Sequence, residues 1–405
     1  MPVTSLPDWI SEFSRPDHVW YLKRLSANDT LANGSHQAGP YFPKELLFKV
    51  LPGLGDRNVL NPRLSLSAFI DSDIDIRPVS AIWYNNRYFG GTRDETRVTG
   101  WGGSASALLD PENTGALAVF VFENGNSPGG ATSLHVWVCS GYQDEVVEDL
   151  VGPVEPGKSV VWTPGQALSL FVRPATPSSC SLLPSEMPPS WLQAFPSAAD
   201  IVRRAVELRP LQSQTADDRL VRRRKCEFEI FKSVEEALVG PKVTAGFGSL
   251  DEFLSLAQTV LQRRKSRSGR SLELHTREIF IEEGLKEHQQ FSHGAVSEGD
   301  KRPDFIFPSM AAYQDSTFPA DKLRILAAKT TAKDRWRQVL NEADRVPVKH
   351  LLTLQEGVSE NQFAEMEAAG LKLVVPQSSV ASFPGAIQPK LITLDQFIAD
   401  VRLLT

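Results

Sequence analysis

Cysteine is scarce. The 405 residues hold three, Cys139, Cys180 and Cys226, with no CxxC pair and no Cys/His ligand spacing. That scatter indicates neither a zinc site nor a disulfide framework, and it fits a reducing cytoplasm. An excess of one charge is also missing: 43 Lys and Arg against 49 Asp and Glu leave a net charge of -6. Affinity for a polyanion must therefore be argued from where basic residues cluster, not from their total. No apolar run is long enough to span a bilayer, and the N-terminus lacks a basic segment followed by an apolar core. A soluble cytoplasmic protein with no membrane association is expected. No internal repeat is visible.

What is present reads as two domains. A hydrophobic fraction of 41% with 23% charged residues is ordinary for globular proteins, and 405 residues exceed one ordinary core. From Trp20 to Val172 short β-like runs (Leu64 to Phe69, Ala81 to Asn85, Ala116 to Phe122, His135 to Cys139) are broken by turn pairs such as Asn33-Gly34 and Gly90-Gly91. This predicts a mostly antiparallel barrel or sandwich. A Pro/Ser-rich stretch then has the composition of a linker, giving domains at 1–175 and 196–405 joined by 176–195. Beyond it helices are predicted from Ala198 to Leu208 behind a Ser197 cap, from Asp217 to Glu236, from Asp251 to Arg264 behind Ser249, and from Ser271 to Glu283. The basic run Arg263 to Arg270 reads as an irregular link. Strands at Asp304 to Phe307, Leu323 to Ala328 and His350 to Leu354, a helix from Lys333 to Ala343, and a closing helix-strand-helix pattern complete an α/β layer arrangement.

Chemistry concentrates between Lys301 and Glu342. Pro303-Asp304 opens one strand and Lys329 ends the next. A carboxylate can hold a hard cation that polarises a phosphoryl oxygen, while an ammonium steers the attacking water, which is what a magnesium-dependent phosphodiesterase needs. The usual second acid, two residues before the lysine, is replaced by Ala327. Glu342 on the following helix is the best substitute, sharing a face with Arg335, and Glu273 is a fourth candidate. Lys333-Asp334-Arg335 offers donor, acceptor and donor, suited to guanine O6/N7 and cytosine N4 edges of adjacent G·C pairs. Taken alone, a Pro-Asp and a distant lysine are common in unrelated proteins, and the triplet is equally a capped helix start. Trp336 reads as core, and His275 and His293 receive no role.

Longer strings are more specific. Tyr21 to Thr30, Leu109 to Leu117, Arg263 to Arg267 with Ser271 to His275, and Lys333 to Gln338 with Asn341 to Asp344 closely resemble the EcoRII-type, type IIE restriction endonucleases. The resemblance implies a homodimeric Mg2+-dependent endonuclease that recognises CCWGG (W being A or T) in double-stranded DNA and cuts before the first C. It implies an N-terminal, mainly β pseudobarrel like plant B3 domains, which binds a second copy of the site and relieves autoinhibition. It implies a C-terminal α/β PD-(D/E)xK fold. Carried over by position, Glu273, Asp304, Lys329 and Glu342 form the active centre, with Asp304 and Glu342 on the metal. Lys333, Asp334 and Arg335 read the outer G·C pairs, and Tyr313 has a supporting role. Lys23, His36, Tyr41, Arg93, Glu95 and Arg97 face DNA in the effector domain. A cognate cytosine methyltransferase is expected in the same cell. The alternative is a non-cutting, sequence-specific DNA-binding protein with a decayed nuclease domain.

Overall fold

The computed structural model describes residues 5–34, 39–141, 143–164, 180–210, 214–333 and 335–404. The chain divides into two compact units, Met1–Ser169 with Gln355–Phe363 and Ala381–Gln388, and Leu170–Leu354 with Ala364–Val380 and Pro389–Thr405. A single cut in the sequence does not describe this division, because two short C-terminal segments count with the first unit.

In the first unit α1 (Leu6–Phe13), β1 (Val19–Arg24), α2 (Lys44–Val50), β2 (Arg63–Ile70), β3 (Asp75–Tyr84), β4 (Glu95–Thr99), β5 (Leu117–Glu123), β6 (Ser133–Val138), α3 (Gln143–Val151) and β7 (Ser159–Trp162) follow one another. Among the described residues the strands form one curled seven-stranded sheet in the order β4-β3-β2-β6-β5-β1-β7. Neighbours are antiparallel except β2 with β6. Side chains alternate across a strand, so Val19 and Tyr21 of β1 enter one core while Trp20 and Leu22 enter another. The first core takes in Phe42 and Leu46, Leu47 and Val50 of α2; the second is closed by Trp9 and Phe13 of α1 and Val147 and Val151 of α3. Continuous apolar runs such as β5 thus mark strands covered on both faces.

The second unit contains α4 (Ala198–Leu208), α5 (Ala216–Ala245), α6 (Leu250–Glu282), β8 (Ser292–His293), β9 (Phe305–Phe307), α7 (Met310–Gln314), β10 (Arg324–Ala328), α8 (Trp336–Leu340), β11 (Lys349–Leu352), α9 (Glu360–Ala368, its first residues counted with the other unit), β12 (Leu371–Val374) and α10 (Leu394–Arg402). The sheet order is β12-β11-β10-β9-β8, parallel from β10 to β12 and antiparallel from β10 to β8. Phe280 of α6 packs edge-on to Phe291, Phe305 and Phe307, with ring centroids 5.2 to 5.6 Å apart. Ser197 and Ser249 cap α4 and α6 as expected, each hydroxyl accepting a backbone N–H.

Four expectations need correction. Residues Arg263 to Arg270 are not a link but the middle of α6. Arg264 makes two hydrogen bonds to Glu235, at 2.8 and 2.5 Å, and Arg267 two to Glu227, at 3.0 and 2.8 Å, so the guanidiniums are buried and paired against α5. The described part of the Pro/Ser-rich stretch, 180–195, is packed rather than extended: Met187 and Trp191 join Ile201, Ile230 and Phe231 in one core. Cys180 and Cys226 form a disulfide there, which their separation in sequence did not suggest. The helix expected from Lys333 to Ala343 shrinks to α8, so Arg335 precedes it, Glu342 follows it, and they share no helical face. Among the described residues no helix is long and apolar enough to cross a membrane.

Candidate functional site

Antiparallel pairing sets Phe305 opposite Leu326, which brings the start of β9 beside the end of β10. Asp304 and Lys329 meet there. The Lys329 ammonium donates to Asp304 Oδ2 at 3.1 Å, and the Ala328 N–H donates to the same oxygen at 2.7 Å. A backbone donor on the next strand therefore fixes the carboxylate, and the carboxylate fixes the ammonium.

Glu342 lies in the turn after α8, near enough to this pair to feel both charges. Its Oε2 is buried and has no hydrogen-bond partner. Burial pushes the carboxyl up to about 7; the Lys329 charge opposes the shift and the Asp304 charge adds to it. The turn is tied by Lys349, buried at the start of β11. Its ammonium donates to the carbonyls of Glu342 at 2.6 Å, Ala343 at 3.0 Å and Val346 at 3.1 Å. One buried ammonium thus gathers three carbonyls of the segment that follows α8.

Tyr313, on α7, is buried, and its hydroxyl hydrogen-bonds both carboxylate oxygens of Glu298 at 2.8 Å. Glu298 also accepts the Asp344 N–H at 2.5 Å, stitching the loop before Asp304 to the turn after Glu342. Burial and Glu298 push the Tyr313 hydroxyl up to about 12, so it stays protonated and serves as a donor. Glu273 stands on α6 with Oε1 2.6 Å from Nε2 of His293 on β8. Lys333 and Arg335 lie in the turn before α8, and Asp334 lies outside the described residues.

In the first unit Arg93, Glu95 and Arg97 gather at the edge strand β4. Arg93 meets Glu95 at 2.5 Å and lies 3.6 Å from the Tyr84 ring centre, and Arg97 meets Glu95 at 3.5 Å. The Arg93 hydrogen bond holds the Glu95 carboxyl below its ordinary range. Lys23 is mostly buried and paired with Asp29 at 2.7 Å, and the same Asp29 oxygen accepts the N–H of the exposed Tyr41 at 3.1 Å. Residue His36 lies outside the described residues.

The donor set suits a divalent cation. Glu342 Oε2 is an orphaned buried acceptor close enough to Asp304 to feel its charge. A hard cation prefers such oxygens, and Mg2+ is commonly held by one or two carboxylates, with phosphate and water completing its shell. Among the described residues no group of three or more Asp, Glu, His or Cys side chains forms a ready cage.

Sequence comparison covers both units. The family model for the EcoRII C terminal matches residues 231–398, and that for the restriction endonuclease EcoRII N-terminal region matches 14–166. The type II restriction enzyme EcoRII of Escherichia coli is 42% identical over 397 residues, 97% of this chain and 96% of that protein. Among solved structures, metal-depleted Ecl18kI in complex with uncleaved, modified DNA is 16% identical with a TM-score of 0.44, covering 52% of this chain and 80% of that one. The B3 domain of the UbaLAI restriction endonuclease with cognate DNA is 19% identical with a TM-score of 0.26, covering 38% and 97%. Both structural overlaps are too slight to define the fold, and the assignment rests on the sequence matches. They make the protein a type II site-specific deoxyribonuclease. The chain belongs to the EcoRII family of restriction endonucleases.

Residues missed by sequence reasoning are His293, Glu298, Lys349 and Asp29. Nothing local marks Glu298 or Asp29. A lysine at a strand start and a histidine two residues after Phe291 carry no signal until their partners are known.

Proposed function

We propose that the enzyme cuts double-stranded DNA at CCWGG, before the first C, by Mg2+-dependent hydrolysis. The Asp304–Lys329 pair at the strand ends, with the buried, unpartnered Glu342 oxygen near enough to feel both charges, carries this reading. Residues 196–405 would be the PD-(D/E)xK-type catalytic domain. Residues 1–175 would be a B3-like pseudobarrel that binds a second site through Lys23, His36, Tyr41, Arg93, Glu95 and Arg97 and thereby relieves autoinhibition.

Bound at Asp304 and Glu342, the cation supplies charge for the phosphoryl oxygens and acidity for the attacking water. The protein's own part is placement. Asp304, gripped by the Ala328 N–H, keeps the Lys329 ammonium at the strand end, where it orients the water for attack on phosphorus. Glu273 helps to orient that water. The new bond joins the water's oxygen to phosphorus, the bond to the 3' oxygen breaks, and that oxygen takes up a proton from solvent, leaving a 5' phosphate and a 3' hydroxyl. Lys333, Asp334 and Arg335 read the outer G·C pairs, and Tyr313 supports through Glu298. A symmetric site calls for a homodimer, one subunit for each half. Such an enzyme works in the cytoplasm beside a cytosine methyltransferase that protects the host genome.

Digesting a sequenced plasmid with and without Mg2+ and mapping the ends tests the reading. Ends before the first C of CCWGG, only with Mg2+, are expected. Ends at other sequences, or equal cutting in EDTA, overturn it.

A further inference from the structure

His293 is the least explained group beside the site. β8 pairs antiparallel with β9 so that His293 stands opposite Phe305, the residue after Asp304, and the Gly294 N–H donates to the Asp304 carbonyl at 3.0 Å. The imidazole stacks on the Phe305 ring, with centroids 5.2 Å apart and planes at 28°. Its two nitrogens face two carboxylates: Nε2 lies 2.6 Å from Glu273 Oε1, and Nδ1 lies 4.0 Å from Glu287 Oε1. Glu287 is held in turn by Arg277, one turn beyond Glu273 on α6, whose Nε and terminal nitrogen donate to its two oxygens at 3.2 and 2.5 Å.

Phe305 sets the plane of the imidazole by stacking and Glu287, held by Arg277, stands on its Nδ1 side; the imidazole in turn fixes Glu273. A glutamate side chain loses rotamer freedom when ordered. Glu273 springs from a helix whereas Asp304 and Lys329 belong to the sheet, so the imidazole on β8 links its carboxylate to the sheet.

We propose that His293 is a positioning residue for DNA cleavage, its Nε2 anchoring the Glu273 carboxylate to the strand that neighbours Asp304, with the Phe305 ring holding the imidazole. The inference rests on Glu273 acting in cleavage. Outer partners of this kind typically contribute about 10- to 100-fold to activity.

The full-length protein is compared as wild type, His293→Ala, His293→Gln, Glu273→Ala and the His293→Ala/Glu273→Ala double variant. Single-turnover cleavage of a cognate duplex in Mg2+, affinity for that duplex in EDTA, and thermal melting are measured for each. His293→Ala should slow cleavage about 10- to 100-fold, with affinity and melting unchanged. Glutamine, whose amide can donate to Glu273, should recover most of the rate. The double variant should be no slower than Glu273→Ala. If Glu273→Ala cuts at the wild-type rate, the role given to Glu273 fails and the inference with it. If Glu273→Ala is slow while His293→Ala is fast, only the inference fails. Multiplying effects in the double variant, or a glutamine variant that folds but stays as slow as alanine, also overturns it.

Discussion

Lys329 owes its place to one carboxylate, since its Nζ donates to Asp304 and Asp304 is itself held by a backbone N–H. Removing the ammonium should therefore disturb the reaction more than the fold. Lys329→Ala is expected to cut cleavage by about 100-fold or more, the scale lost when a reacting group is misplaced, while cognate binding in EDTA stays close to that of wild type. Retained cleavage would sink the assignment. At this scale Asp304 and Lys329 were legible because each adjoins a short apolar run, and antiparallel pairing did the rest. Glu342 was legible as an acid but not as the end of a turn. His293, Glu298 and Lys349 were not, because each is defined by a partner that only tertiary structure supplies.

Elements carry the same lesson with more energy at stake. The basic run in α6 looked like a link because its charges alone do not reveal that Glu227 and Glu235 wait on α5; a guanidinium is tolerated in the interior when paired and hydrogen-bonded. Aspartates join two further helices. Asp217, near the start of α5, accepts the N–H groups of Leu394 at 3.0 Å and Asp395 at 3.2 Å, while Asp395, near the start of α10, accepts those of Ala216 at 3.0 Å and Asp217 at 3.4 Å. Each helix start is capped by the other's acid. Burial and the hydrogen bond to Asp395 push the Asp217 carboxyl from 3.8 up to about 7. For Asp395 burial acts upward too, but the bonds from Asp217 and from the backbone outweigh it and hold the group low. The folded pair thus keeps a proton that the unfolded chain releases. Its stabilisation is complete below about pH 4 and drains away as pH rises to about 7. Urea unfolding from pH 5 to 8 should show wild type losing on the order of 1–3 kcal/mol relative to Asp217→Asn, which mimics the protonated acid. Parallel pH profiles for the two proteins would remove the shared proton.

For the whole molecule, a net charge of -6 gives DNA no general attraction, so recognition must come from local groups. The change from strand-rich to helix-rich pattern was legible as a change of unit. The membership of 355–363 and 381–388 in the first unit was not, because it rests on contacts between residues far apart in sequence. Candidate base-reading groups occur in both units, Arg93, Glu95 and Arg97 in one, Lys333 and Arg335 in the other. If occupancy of the first set favours the cutting state of the second, the two sites share a coupling free energy, typically about 1–3 kcal/mol or 5- to 150-fold. A plasmid with one CCWGG site should then be cut slowly, and a short duplex carrying the site should accelerate it by a factor in that range. Arg93→Ala should blunt the acceleration without slowing the uncoupled rate, since Arg93 lies just before the edge strand β4 of the first unit, against Tyr84 and Glu95. Equal rates with and without the duplex, in a protein that still binds it, would leave the first unit as a second binding module with no control over cleavage.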